Sequence, residues 1–262
     1  MNAAEAWAFG GAGALWAGAL AAALLGRARG WEEKATLALA AAGSACALAG
    51  LGARGLAIQY WPLTDRYAFT QAFALATVLT ALALDARDRH RVLRLGLGVA
   101  LALWADAQWL LPLGLRRAAL PVPALRHYWL PLHAGSAAVA YAGLTLGSLA
   151  AVWAARQGDG ALQVLARRAI RWGYWWLSAS IFLGAVWARQ TWARFWGWDP
   201  KETWSLVTWL LYTAWFHALG LPAWQGRRQA VLLALGLAAL GFTLFGLEWL
   251  ARQVGLFSLH LF

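Results

Sequence analysis

Gln190-Thr191-Trp192-Ala193-Arg194-Phe195-Trp196-Gly197-Trp198-Asp199-Pro200-Lys201-Glu202-Thr203-Trp204 carries four tryptophans, two bases and two acids, with an apolar run on each side. A solvent loop rarely holds so much aromatic surface. A bilayer span rarely holds so many charges, because each costs roughly 2.5–3.5 kcal/mol or more at the membrane centre. The stretch therefore reads as a segment at a membrane surface with an apolar face to offer. Such a face reads as a flat aromatic platform for a planar ligand.

The flanking sequence sets the class. The chain has 262 residues, of which 62% are hydrophobic and 13% charged, with a mean hydropathy of +0.54. These values exclude disorder and indicate an all-α polytopic membrane protein. The formal net charge of +11 would suggest nucleic acid in a soluble protein. Here the arginines flank apolar segments, as topology signals do, so no nucleic-acid partner is expected. Cys46, the single cysteine, makes no internal disulfide and no CxxC redox site. Glu5 and the lack of early bases argue against a cleaved signal peptide.

Eight spans are expected, at about 6–26, 35–53, 67–84, 92–111, 129–154, 172–188, 204–221 and 230–250. Each approaches the ~20 residues a helix needs to cross the hydrocarbon core. The alternating pattern of barrel strands is absent. The connections are short, so residues 1–262 read as a single integral membrane domain with the Trp-rich loop at 189–204. Connections 27–34, 85–94, 155–171 and 222–229 hold thirteen Lys and Arg, and the opposite set holds nine. The richer set is expected to be cytoplasmic. Both termini and the Trp-rich loop then lie on the outer face.

That topology sorts the five histidines. His90 falls in a charged cytoplasmic turn and His127 in an outer loop, and both read as surface residues. His133, near the start of the fifth span, and His260, beyond the eighth, share the level of the Trp-rich loop. His217 lies thirteen residues past Trp204, ~20 Å deeper on an ideal helix. An ionisable group at such depth is a functional candidate. Two histidines beside an aromatic platform suit bis-imidazole ligation of haem iron. Zinc, which takes three or four ligands, suits the outer side less well. Asp199-Pro200-Lys201-Glu202 reads as a helix start, with Asp199 as N-cap, Pro200 in the first turn and Glu202 as the reciprocal acid of a capping box.

The run from Gly184 to Trp192, continued by Phe195-Trp196-Gly197-Trp198-Asp199-Pro200-Lys201-Glu202-Thr203-Trp204-Ser205-Leu206-Val207-Thr208-Trp209, resembles the WWD signature of haem-handling cytochrome c biogenesis proteins. The Asp-Pro-Lys-Glu-Thr-Trp continuation is similar to the CcsA branch (also called ResC) of the System II pathway. Trp129-Leu130-Pro131-Leu132-His133 with Tyr141 and Gly147-Ser148-Leu149, Tyr212 to His217, and Gly255 to His260 resemble further segments of that family. The similarity covers roughly 60–262. Two positions depart from it. Ala193 stands where a glycine is usual, and Ala68 replaces a usual glutamate after Pro62-Leu63-Thr64-Asp65-Arg66-Tyr67.

The resemblance implies a membrane subunit that binds non-covalent b-type haem and holds it at the outer face for thioether attachment to the CxxCH motif of apocytochrome c. It implies His133 and His260 as outer haem ligands. His217 would be one ligand of a second haem within the membrane, completed by a partner called CcsB or ResB. Trp192, Trp196, Trp198 and Trp204 would border the haem, and Asp199 and Glu202 would cap the site. The location implied is the bacterial cytoplasmic membrane, with a periplasmic active face. Whether the chain is an enzyme, as part of a holocytochrome c synthase (haem lyase), stays open. No nucleophile–base pair or phosphate-binding loop is evident. The rival reading is a transporter or proton-coupled carrier using His217 and Asp106.

Overall fold

The computed structural model describes residues 2–25, 31–85, 91–224 and 226–254. Among the described residues there is no strand. The helices are α1 (Ala3–Leu25), α2 (Trp31–Ile58), α3 (Arg66–Asp85), α4 (Arg91–Ala105), the single turn α5 (Leu113–Arg116), α6 (Trp129–Gln157), α7 (Gly160–Trp192), α8 (Pro200–Ala218), α9 (Arg227–Gly241) and α10 (Leu247–Val254). A π-helical turn, Asp106–Leu110, prolongs α4, and another, Phe242–Gly246, joins α9 to α10.

A helix covers each of the eight apolar segments. Five are long and apolar enough to cross a membrane: Ala3–Leu25, Trp31–Ile58, Arg66–Leu84, Trp129–Gln157 and Arg227–Gly246. The chain is therefore an all-α polytopic membrane protein. The other three are less apolar or shorter for visible reasons. In α7, Arg167, Arg168 and Arg171 fall in the third and fourth turns. Helix α8 opens on Lys201 and Glu202. Helix α4 gains its length only through the π-helical turn. Large apolar side chains such as Trp7, Leu25 and Leu56 are exposed, as on a surface that faces lipid.

The chain forms two compact units, Met1–Ala142 and Gly143–Phe262, and the boundary falls inside α6. In the first unit α1 packs on α2 and α4, and α3 on α4 and α2. Small residues set these contacts. A Cβ at Gly43 would stand 2.6 Å from the indole of Trp16, and one at Gly50 2.8 Å from the ring of Phe9. Gly43 and Gly50 of α2 thus each receive an aromatic ring of α1, and both rings are fully buried.

In the second unit the same device joins α6 to α7. A Cβ at Gly143 would lie 2.9 Å from the Ala169 carbonyl and Gly173, and one at Gly147 would lie 2.6 Å from Ile170 Cγ1 and 2.8 Å from the Ala166 carbonyl. The two glycines are one helical turn apart, so the backbones touch along one stripe. Hydrogen bonds then place α8. Tyr212 Oη and Ser148 Oγ of α6 are 2.9 Å apart, and Trp209 Nε1 donates to Ser178 Oγ of α7 at 2.8 Å. Helix α8 is therefore anchored along its length, and its first residue fixes where the Trp-rich loop ends.

Candidate functional site

The Trp-rich segment is a tight turn between α7 and α8. Helix α7 ends at Trp192, and Ala193 adopts the left-handed conformation, φ 58° and ψ 19°. That is the position after a helix where glycine is favoured, because a Cβ there crowds the following carbonyl. Arg189 Nη1 donates to the Ala193 carbonyl at 3.0 Å and its guanidinium lies 5.8 Å from the Phe195 ring. A second residue, Trp198, is also left-handed, at φ 56°. For a bulky side chain this is a genuine outlier and costs about 1–2 kcal/mol.

Glu202 holds that outlier in place. Its Oε2 accepts from the Gly197 N–H at 2.8 Å and from the Asp199 N–H at 3.1 Å, one on each side of Trp198. Asp199 caps α8, its Oδ1 accepting from the Lys201 N–H at 2.9 Å, and the reciprocal capping box is complete with Pro200 in the first turn. Asp199 is buried. A Cβ at Gly197 would stand 2.7 Å from Arg194 Cζ, the far end of an exposed, flexible side chain that can move aside.

The tryptophans do not form one flat surface. Trp192 meets the buried Trp187 edge to face at 4.7 Å. Trp204 packs at 4.4 Å on Phe242, in the π-helical turn after α9. Trp196 and Trp198 are 5.9 Å apart with planes at 87°, so they cannot both lay a ring face on one planar ligand. Trp198 is 69% exposed and Phe195 59%. The outer part of the turn is therefore aromatic surface without a covering element in its own unit.

The histidines are distributed as follows. His133 is half-buried in the second turn of α6, within the first unit, and its carbonyl accepts from Ser136 Oγ at 2.8 Å. His260, and the rest of Gly255 to His260, lie outside the described residues, as does His90. His127 stacks on Tyr128 at 4.6 Å, and its Nδ1 accepts from the Trp129 N–H at 3.4 Å. His217 is exposed, next to the last residue of α8. The structure thus brings Trp192, Trp196, Trp198, Trp204, Asp199 and Glu202 together in one turn-and-cap unit, with His217 at the far end of the same helix. Asp106 begins the π-helical turn after α4 and pairs with Arg66, the first residue of α3, at 3.4 Å.

One polar centre escaped sequence reasoning. Arg54 and Glu5 are both fully buried and ion-paired at 2.6 Å. Arg54 also pairs with Asp65 at 3.0 Å, donates to the carbonyls of Arg116 and Arg117 at 3.2 and 3.3 Å, and lies 4.8 Å from the centre of the Tyr67 ring. Asp65 also accepts from the Ala68 N–H at 2.9 Å and so caps α3. This accounts for Asp65 in the Pro62 to Tyr67 segment as a structural residue. The usable signal was an acid at the edge of the first span and a base at the edge of the second, two charges beside lipid that need each other.

These residues fit a planar, apolar ligand better than a bare metal ion. Among the described residues no group of three or more His, Cys, Asp and Glu comes together as a metal site. The turn offers exposed aromatic surface beside Arg194, which is itself exposed. Aromatic surface beside a guanidinium is complementary to a planar ligand that carries carboxylates.

A polytopic helical membrane protein with a clamped tryptophan turn is thus defined. Residues 45–254 match the model of the family described as cytochrome c assembly protein. The chain is 31% identical over 268 residues to the cytochrome c biogenesis protein CcsA of Synechococcus elongatus, covering 79% of this chain and 82% of that one. It is 32% identical over 251 residues to CcsA of Parasynechococcus marenigrum, covering 78% and 80%, and 28% identical over 255 residues to CcsA of Pyropia yezoensis, covering 77% and 80%. The chain belongs to the cytochrome c assembly family, in its CcsA branch.

Proposed function

We propose that this protein binds b-type haem at the outer face of the bacterial cytoplasmic membrane and presents it to apocytochrome c for thioether attachment at a CxxCH motif. The observation that carries the reading is the exposed aromatic turn, rigidly capped yet strained at Trp198. Strain maintained by surrounding bonds marks functional positions. Trp196 and Trp198 would pack on the macrocycle and Arg194 would pair with a propionate. His133 and His260 would supply the iron ligands, and a CcsB or ResB partner would complete a second site at His217. Haem, when bound, supplies the vinyl groups to which substrate thiols add. The chain's own residues bind, orient and shield the group. Assignment as a holocytochrome c synthase would then belong to the complex with its partner.

The carrier reading has less behind it. Asp106 is paired with Arg66 at helix ends rather than set in mid-span, and His217 lies in the last turn of α8.

A pyridine haemochrome assay on the protein purified with and without its partner tests the proposal. Expected are a Soret band and about one haem per chain in the isolated protein. Neither preparation containing haem would overturn it.

A further inference from the structure

The second unit holds a cavity of ≈ 270 Å³ at the end of α8 remote from the tryptophan turn. It lies among the last turn of α6, the first turns of α7 and α9, and Trp215 of α8. A typical small-molecule site occupies about 300–1,000 Å³, so this space suits a head group rather than a whole macrocycle. Trp215 faces opposite to His217 on α8, two residues or about 200° away, and the cavity is separate from that candidate ligand.

Its walls are rich in hydrogen-bond donors. Arg167 lines it, and so does Trp215, which is fully buried and whose Nε1 has no hydrogen-bond partner; Gln229 also lines it, with its Nε2 donating to the Ala218 carbonyl at 3.3 Å. A buried indole N–H without an acceptor is unfavourable, and a bound acceptor would relieve it. Gln163 also lines the space, and its Oε1 is unpartnered; turning the amide over would present a donor instead. Two helix N-termini open onto the cavity. Asp159 caps α7 through its bond from the Leu162 N–H at 3.0 Å. Helix α9 starts at Gly226 with no side-chain cap, so its first-turn N–H groups remain available to an external acceptor. Asp159 is the single acid among the lining residues, and its capping bond already occupies one oxygen.

We propose that this cavity binds a phosphate oxyanion, supplied by the head group of an anionic phospholipid. Arg167 and the uncapped start of α9 favour an anion over a neutral acceptor. The position selects its source, because the cavity sits where two candidate spans, Trp129–Gln157 and Arg227–Gly246, reach their ends, the level of bilayer head groups. Arg156, Arg168, Arg227 and Arg228 around it are exposed, and such basic clusters between helix ends recruit acidic lipid.

Native mass spectrometry of the full chain in detergent tests this, with phosphatidylglycerol, phosphatidylcholine or inorganic phosphate added separately. One phosphatidylglycerol should be retained per chain, in preference to phosphatidylcholine. Arg167→Gln should weaken retention about tenfold or more, the loss of one charge-assisted hydrogen bond. Ala155→Trp, which adds bulk at an exposed lining position and removes no polar group, should abolish it. Equal retention of phosphatidylcholine by the wild-type protein would overturn the proposal, as would unchanged phosphatidylglycerol retention in a folded variant. Binding of inorganic phosphate without lipid preference would support the oxyanion site and overturn the lipid as its source. The wild-type comparison stands even if both variants misfold.

Discussion

Glu202 brackets Trp198: one carboxylate oxygen accepts the backbone N–H on either side of a tryptophan in the left-handed conformation. Without this clamp, Trp198 would relax by about 1–2 kcal/mol toward ordinary backbone geometry. Two charge-assisted bonds at ~1.5–3 kcal/mol each outweigh that cost. Glu202→Gln keeps an acceptor and should be mild. Glu202→Ala should increase hydrogen exchange at Gly197 and Asp199 and lower haem content. Unchanged exchange in Glu202→Ala would show that the turn is held by something else.

Asp199 is a separate test of the same start of α8. Asn is an equally good N-cap, whereas Ala loses about 1 kcal/mol. Asp199→Asn should therefore leave thermal stability in detergent nearly unchanged, and Asp199→Ala should lower it. If Asn were as damaging as Ala, the negative charge itself would have a role beyond capping.

Ala193 is left-handed, at φ 58°, a conformation that glycine adopts without the penalty a Cβ brings. Ala193→Gly removes the Cβ from a left-handed residue and should stabilise the turn by about 1 kcal/mol. A melting curve that moves down would contradict this geometry.

How much of this was legible beforehand differs between the helices and the turn. The eight apolar runs all became helix because a chain in lipid must satisfy its own backbone. Their ends were less legible. The second span was expected to stop at residue 53, before Arg54, but α2 continues to Ile58 because Glu5 and Asp65 neutralise the guanidinium from other elements. Similarly α7 begins at Gly160 rather than near 172, started by the Asp159 cap. Asp199, Pro200 and Glu202 could be read from local spacing. The crossed planes of Trp196 and Trp198 could not, since they follow from a positive φ that sequence gives no reason to expect in tryptophan.

Arg54 offers a stability prediction independent of haem. Removing one member of a buried ion cluster leaves an uncompensated charge and costs about 3–5 kcal/mol. Arg54→Gln should lower the melting temperature sharply, with Glu5→Gln in the same background restoring part of it. No recovery in the double variant would indicate that the bonds to the Arg116 and Arg117 carbonyls dominate.

His217 separates the proposed partner-completed site from a self-contained one. It is exposed, next to the last residue of α8, as a ligand offered to another chain has to be. A carrier residue working within this chain would instead need internal partners. The isolated protein should therefore bind at most one haem with two histidine ligands, by His133 and His260. On assembly with its CcsB or ResB partner it should gain a second, read from the pyridine haemochrome and from low-spin absorption. His217→Ala should remove only that second haem and leave the first at full occupancy. Two bis-histidine haems in the isolated monomer would show that His217 has been misassigned, because the chain would then be closing both sites by itself.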